Sequence, residues 1–393
     1  MLHAVPRQPN LSLLPTKALL PLGCRAFGLP AATVVLGSAP GAGYVTAREQ
    51  VGGKSVSASG SRNGRAGLRI GELVEVRSVD EILATLDERG RLEALPFMPE
   101  MLKYSGRRFR VYRRAIKLCD TANSTGMHRM HDAVHLEGLR CDGSAHGGCQ
   151  AGCLLYWKEA WLKRVEPGES PAAPGRLPVP ALLADATRAD GVPPSRQDGE
   201  DGDVAFSCQA TELTKAAPER MPWWDARQYV RDVTSGNARP LAMLRSLVVM
   251  LFNKFQAANR RFLPGLPLIR NAKRWPFIEG RLTKTPREVL DLKPGELVEV
   301  KSREEIFQTL DTRDRNRGMM FDTEMLRYCG KRYRVLRRVE RIIDEKTGKM
   351  MHLRGDCIVL EGVTCTAEYN QYCPRSIYPY WREIWLRRVE EPR

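Results

Sequence analysis

The chain has 393 residues, 62 Lys and Arg against 46 Asp and Glu, and a formal net charge of +16. That is globular composition with length for two to three cores, and no run of about 18 uninterrupted apolar residues occurs, which excludes a polytopic membrane protein. Ten cysteines in this length are too sparse for a small disulfide-stapled scaffold, so their positions carry more than their number.

The charge is unevenly distributed. Residues 1–67 carry +6, 68–166 carry +2, 167–212 carry −5, 213–290 carry +10 and 291–393 carry +3. The first block is rich in Pro, Gly, Ala and Ser with no acidic residue before Glu49, and reads as a disordered N-terminal extension. Its 11–23 stretch has some signal-peptide character, but Lys17 and two prolines interrupt the apolar run, and a cytoplasmic protein is the expectation.

Sliding the chain against itself by 224 residues aligns 68–166 with 292–390 without a gap, and 43 of 99 positions are identical. GELVEVRS answers GELVEVKS, and YWKEAWLKRVE answers YWREIWLRRVE. This is a duplicated unit of a size that supports one core. Each copy opens with a strand after a Gly turn (Leu73, Val74 and Val76; Leu297, Val298 and Val300). The spacing of DEILATLDERG and EEIFQTLDTRD predicts a helix, and Pro99 with Glu100 suits the first turn of a second, short helix. A long strand containing Phe109 and Val111 then pairs with one carrying Val134 and Leu136. Trp157 and Trp161, like Trp381 and Trp385, recur at a spacing of four and are expected in the core rather than on a ligand platform.

A short strand after a Gly turn, a long bent hairpin and a closing apolar segment resemble an SH3-like barrel, on the GELVEV entry motif. The expected fold class is therefore mainly β with α insertions: tandem SH3-like small barrels at 68–166 and 291–393. Between them lie a flexible acidic linker at 167–203 and a helical basic insert at 204–290. The clearest helix in the insert spans 240–262 and offers a face for a partner protein.

The duplication acts as an internal control on the cysteines. Cys141 and Cys149 match Cys365 and Cys373, whereas Cys119 and Cys153 face Ile343 and Ile377 in the second copy. Two thiols that differ together suggest joint employment, and Cys119, Cys141, Cys149 and Cys153 are the expected metal set, for zinc or an iron–sulfur cluster. His128, His131, His135, His146 and Cys208 are possible substitutes. A weaker second set comprises Cys357, Cys365, Cys373 and His352. Disulfides and ordinary packing are the competing readings.

The runs GRRFRVYRR and GKRYRVLRR place Arg108, Arg110 and Arg113, with Arg332, Arg334 and Arg337, where they could grip phosphate, although a solvated arginine face paired to carboxylates is the plainer expectation. No phosphate-binding loop, Ser elbow, HExxH or dinucleotide fingerprint is present. The functional expectation is a metal-binding accessory or scaffold protein. The alternatives are nucleic-acid binding and a cluster-dependent redox enzyme.

Overall fold

Gly71 and Gly295 hold φ of 80° and 88°, and each turn delivers the GELVEV segment into a strand, Leu73–Val76 or Leu297–Val300. In the first copy this strand pairs antiparallel with Arg108–Arg114 on one side and Leu162–Arg164 on the other. The sheet then continues through Ala133–Leu136 to Trp157–Lys158. The second copy has the same strand order, and its registers are those of the first displaced by 224: Leu73 opposes Arg110 as Leu297 opposes Arg334. Even the irregularity recurs, at Val111/Arg113 and Val335/Arg337.

The computed structural model describes residues 67–165, 179–187, 204–262, 273–353 and 357–390. The expected disordered extension, through residue 66, and most of the 167–203 linker lie outside them. The described fold is mixed α/β, with several antiparallel sheets and few helices. No closed barrel is formed among the described residues, but the sheets are not flat. The two edge strands, Trp157–Lys158 and Leu162–Arg164, are joined by one 3-10 turn, Glu159–Trp161. Four strand spacings would separate the edges of a flat sheet by about 19 Å, more than the ~14 Å that the four Cα steps from Lys158 to Leu162, or from Arg382 to Leu386, span when extended, so each sheet curls.

The aromatic residues lie inside the curl. Phe97 packs edge-on against Trp157 and Trp161 with centroids 6.1 and 5.1 Å away, and Phe321 repeats this with Trp381 and Trp385 at 6.2 and 5.3 Å. The spacing of four does not mark an α-helix: Trp157 opens a two-residue strand and Trp161 ends the 3-10 turn that follows it. The helix expected over DEILATLDERG is also shorter, ending at Leu83. Asp87 accepts the Arg89 and Arg91 N–H groups, both at 2.9 Å, and this side-chain turn diverts the backbone into a small hairpin. The element at Pro99 is a 3-10 helix, Pro99–Tyr104.

The insert is integral to the first copy. Leu213, Ala216 and Ala217 belong to its core, and Gln209 accepts the Tyr156 N–H at 2.9 Å while donating to the Tyr156 and Pro96 carbonyls. Lys117, on the strand Lys117–Cys119, forms a fully buried ion pair with Asp232, on the helix Arg227–Thr234. The long helix is Pro240–Phe262. Its Pro240–Asn259 part is long and apolar enough to cross a membrane by length and composition, and 22% of it is buried.

The copies exchange contacts reciprocally. The Cys119 N–H donates to Cys373 Sγ at 3.2 Å, and the Ile343 N–H donates to Cys149 Sγ at 3.3 Å. Residues 119 and 343 are equivalent, as are 149 and 373. Thr121 donates its hydroxyl to Glu345, its own counterpart. Contacts of i with j matched by j with i describe a two-fold arrangement, with each cysteine loop laid on the other copy's hairpin.

Candidate metal centre

Three donors from two elements, a 3-10 turn and a Gly-rich loop, converge in the first copy. Glu100 comes from the 3-10 turn Pro99–Tyr104. Cys141 stands at the neck of the Gly-rich loop, its N–H bonded to the Cys153 carbonyl at 2.8 Å. His146 follows a turn in which Gly143 O accepts the His146 and Gly148 N–H groups at 3.1 and 2.9 Å. Gly143 has φ +74°, and a Cβ there would meet Cys149 O at 2.1 Å. Only glycine lets the loop close this tightly.

Cys141 Sγ lies 3.4 Å from Glu100 Oε1 and 3.3 Å from His146 Nε2, and His146 Nδ1 lies 3.7 Å from the same carboxylate oxygen. One ligand atom from each residue fits within 4.8 Å of the others. Tetrahedral zinc with Zn–S ≈ 2.3 Å and Zn–N or Zn–O ≈ 2.0–2.2 Å sets its ligand atoms about 3.4–3.6 Å apart; the distances from Cys141 Sγ to Glu100 Oε1 and to His146 Nε2 are close to this, while the carboxylate is approached by the other ring nitrogen. Glu100 and His146 are nearly sealed from solvent, and Glu100 Oε2 and His146 Nδ1 have no hydrogen-bond partner. Buried polar atoms are seldom left so.

Burial pushes the Glu100 carboxyl and the Cys141 thiol up and drives the His146 imidazole down to about 4. Without a cation the carboxyl and thiol are thus held toward their neutral forms. A dication would reverse the preference, because it rewards the carboxylate and the thiolate. Among the described residues the second copy has no equivalent. There Glu324 is satisfied by the Tyr369 N–H at 2.7 Å and the Thr366 hydroxyl at 2.8 Å, and Asn370 stands where the first copy has His146.

Beside the triad is a cavity of about 100 Å³ between the copies, whose wall includes Cys141, Cys149, Cys153, Cys208 and Cys365. Burial raises Cys153 to about 12 and raises Cys149 and Cys208 as well. The structure thus gathers three of the four expected thiols, with Cys208, on one cavity. It places Cys119 elsewhere: its Sγ is 3.1 Å from Cys373 Sγ, beside Met127 and Met221. Of the second set, Cys365 reaches the cavity, Cys373 meets Cys119, Cys357 is in the sheet core and His352 is exposed on an edge.

Among the other histidines, His128 is bonded through both ring nitrogens, to Ala217 O at 2.8 Å and Thr125 Oγ1 at 2.7 Å. His131 is exposed beside Glu219. His135 is fully buried on the Leu155 carbonyl at 2.9 Å, and burial lowers it to about 3. Its folded value lies below the ordinary 6.5, so the unfolded chain takes up the proton first and stability falls as pH drops from about 6.5 toward 3. His135→Val, the residue found at 359, should remove a slope of about 1.4 kcal/mol per pH unit there. Urea denaturation at pH 6.5, 5.5 and 4.5 checks this; an unchanged slope contradicts it.

The arginine strands are tied down within the fold. Arg108 Nε is 2.9 Å from Glu75, and Arg332 Nε is 3.5 Å from Glu299. Burial works to raise Glu75, but its bonds from Lys163 and Arg108 hold it below the usual carboxylate value. Arg110 and Arg334 donate to the Gly71 and Gly295 carbonyls at 2.9 Å, and Arg113 and Arg337 lie over the Tyr112 and Tyr378 rings.

Comparison with protein-family models, curated proteins and solved structures finds no match to this chain. The residue that sequence reasoning missed is Glu100. It is identical in both copies as Glu324, so the comparison of copies hides it. The available signal was the change of His146 to Asn370.

Proposed function

We propose that this protein is a non-enzymatic metal-binding accessory or scaffold protein in which Glu100, Cys141 and His146 hold a zinc ion. The observation that carries this reading is the pair of orphaned buried atoms, Glu100 Oε2 and His146 Nδ1, at a three-donor convergence. Thiolate, imidazole and carboxylate are ordinary zinc ligands, whereas an iron–sulfur cluster draws mainly on thiolates and only one donor here is a thiol. Cys153 and Cys208, on the adjoining cavity wall, are candidates for the fourth ligand of a closed structural site. We read the two curled sheets as SH3-like modules. The strand order, with the first strand between the second and the last and a 3-10 turn joining the last two, supports that reading.

Purified protein is expected to carry about one zinc ion per chain by elemental mass spectrometry. His146→Asn, which installs the residue of position 370, and Cys141→Ser should each lose most of it, while His352→Asn on the exposed edge retains it. Cobalt substitution should give a thiolate-to-cobalt absorption band that Cys141→Ser removes. Wild-type protein without bound metal, or full metal content in both ligand variants, refutes the site. An iron–sulfur absorption spectrum refutes zinc.

A further inference from the structure

On the Pro240–Phe262 helix, Leu241, Leu244, Val248, Leu251 and Phe255 are 83, 59, 59, 55 and 63% exposed. At 3.6 residues per turn these five positions fall within an arc of about 80°. The other side of the helix is the one that packs: Met243 and Val249 are buried, and the Ser246 hydroxyl donates to the Glu368 carbonyl at 2.5 Å. The helix is therefore apolar on its outward face as well as its inward one. Single exposed leucines are ordinary, but an aligned row of five large apolar side chains marks a contact surface.

The charge around this row selects the partner. Positions 240–262 contain no Asp or Glu and four basic residues, Arg245, Lys254, Arg260 and Arg261, within the segment 213–290 that carries +10. Arg245 is 67% exposed. Trp275, 44% exposed, is fixed to the helix by two bonds with Asn253, at 2.7 and 3.0 Å. Trp224 is 70% exposed and stacks edge-on with Trp223, over which Lys254 lies at 5.1 Å. Apolar row, flanking tryptophans and surrounding cations are the features of a helix lying in a lipid interface. A second copy seated on the same face would bring two +10 segments together, which charge repulsion opposes. We propose that this helix docks the protein peripherally on an anionic lipid surface, with the apolar row in the acyl boundary and Arg245 facing the headgroup phosphates.

The test is co-sedimentation of the full chain with vesicles of phosphatidylcholine alone or mixed with phosphatidylglycerol. Binding to the mixed vesicles is expected to exceed binding to neutral ones roughly tenfold, to weaken with added salt, and to be released by a high-salt wash. Leu244→Glu with Leu251→Glu should abolish it, and Arg245→Glu should weaken it. Both sites are exposed, so circular dichroism and Tm should match the wild type. No capture by anionic vesicles at low salt overturns the proposal, as does equal capture of the double variant or retention through the high-salt wash. A lipid-free dimer that the double variant converts to monomer, without vesicle binding, overturns it in favour of self-association.

Discussion

Truncating Trp161 to alanine should lower the free energy of unfolding by about 3–5 kcal/mol, and Trp385→Ala should do the same in the second copy. Each indole is fully buried, meets a phenylalanine edge-on at 5.1 or 5.3 Å, and donates Nε1–H to Thr85 or Thr309 at 3.1 or 3.0 Å. The threonines keep a second partner, the Ile82 or Ile306 carbonyl at 2.7 Å, so the loss is one of packing and cavity rather than of a stranded hydroxyl. The cores are also joined, because Cys149 of the first copy is part of the second copy's core. Urea denaturation should therefore show either variant shifting one common transition to lower denaturant. Two separate transitions, or a loss below about 1 kcal/mol, would contradict this account.

Asp232→Ala should cost a similar amount, about 3–5 kcal/mol, for a different reason. Lys117 and Asp232 are both fully buried and bonded to one another, and Lys117 Nζ also lies 5.4 Å from the centroid of the Tyr229 ring. Burial pushes the lysine down and the aspartate up, and their mutual attraction opposes both shifts. Removing the carboxylate leaves an ammonium with no compensating charge in an apolar site. The double variant Lys117→Met with Asp232→Leu removes both charges and should recover most of the loss, since matched apolar side chains replace buried pairs at little cost. Equal losses in single and double variants, measured by urea denaturation, would show that the pair acts through shape alone.

Much of the architecture was legible from the chain. The 224-residue offset, the strand after each Gly turn, the tryptophans as core and the helix at 240–262 follow from local pattern, because side-chain periodicity and turn chemistry depend on near neighbours. The short helix after Ser78 ends sooner than its spacing predicts for a local reason too: Asp87 competes for backbone N–H groups that a longer helix would use. The expected linker and extension carry composition but no packing pattern.

The match of 68–166 to 292–390 at an offset of 224, and the cysteines that differ between the two segments, are read from the sequence alone. The partners of those cysteines follow from long-range packing. Cys119 meets Cys373, 254 positions away, because the copies trade loops across a two-fold arrangement. Spacing along one copy cannot express a contact made with the other. Glu100 joins Cys141 from 41 positions upstream because a 3-10 turn and a glycine-bent loop end at the same place. That convergence is set by long-range packing, which fixes where separate elements meet, whereas the local pattern fixes only what each element is.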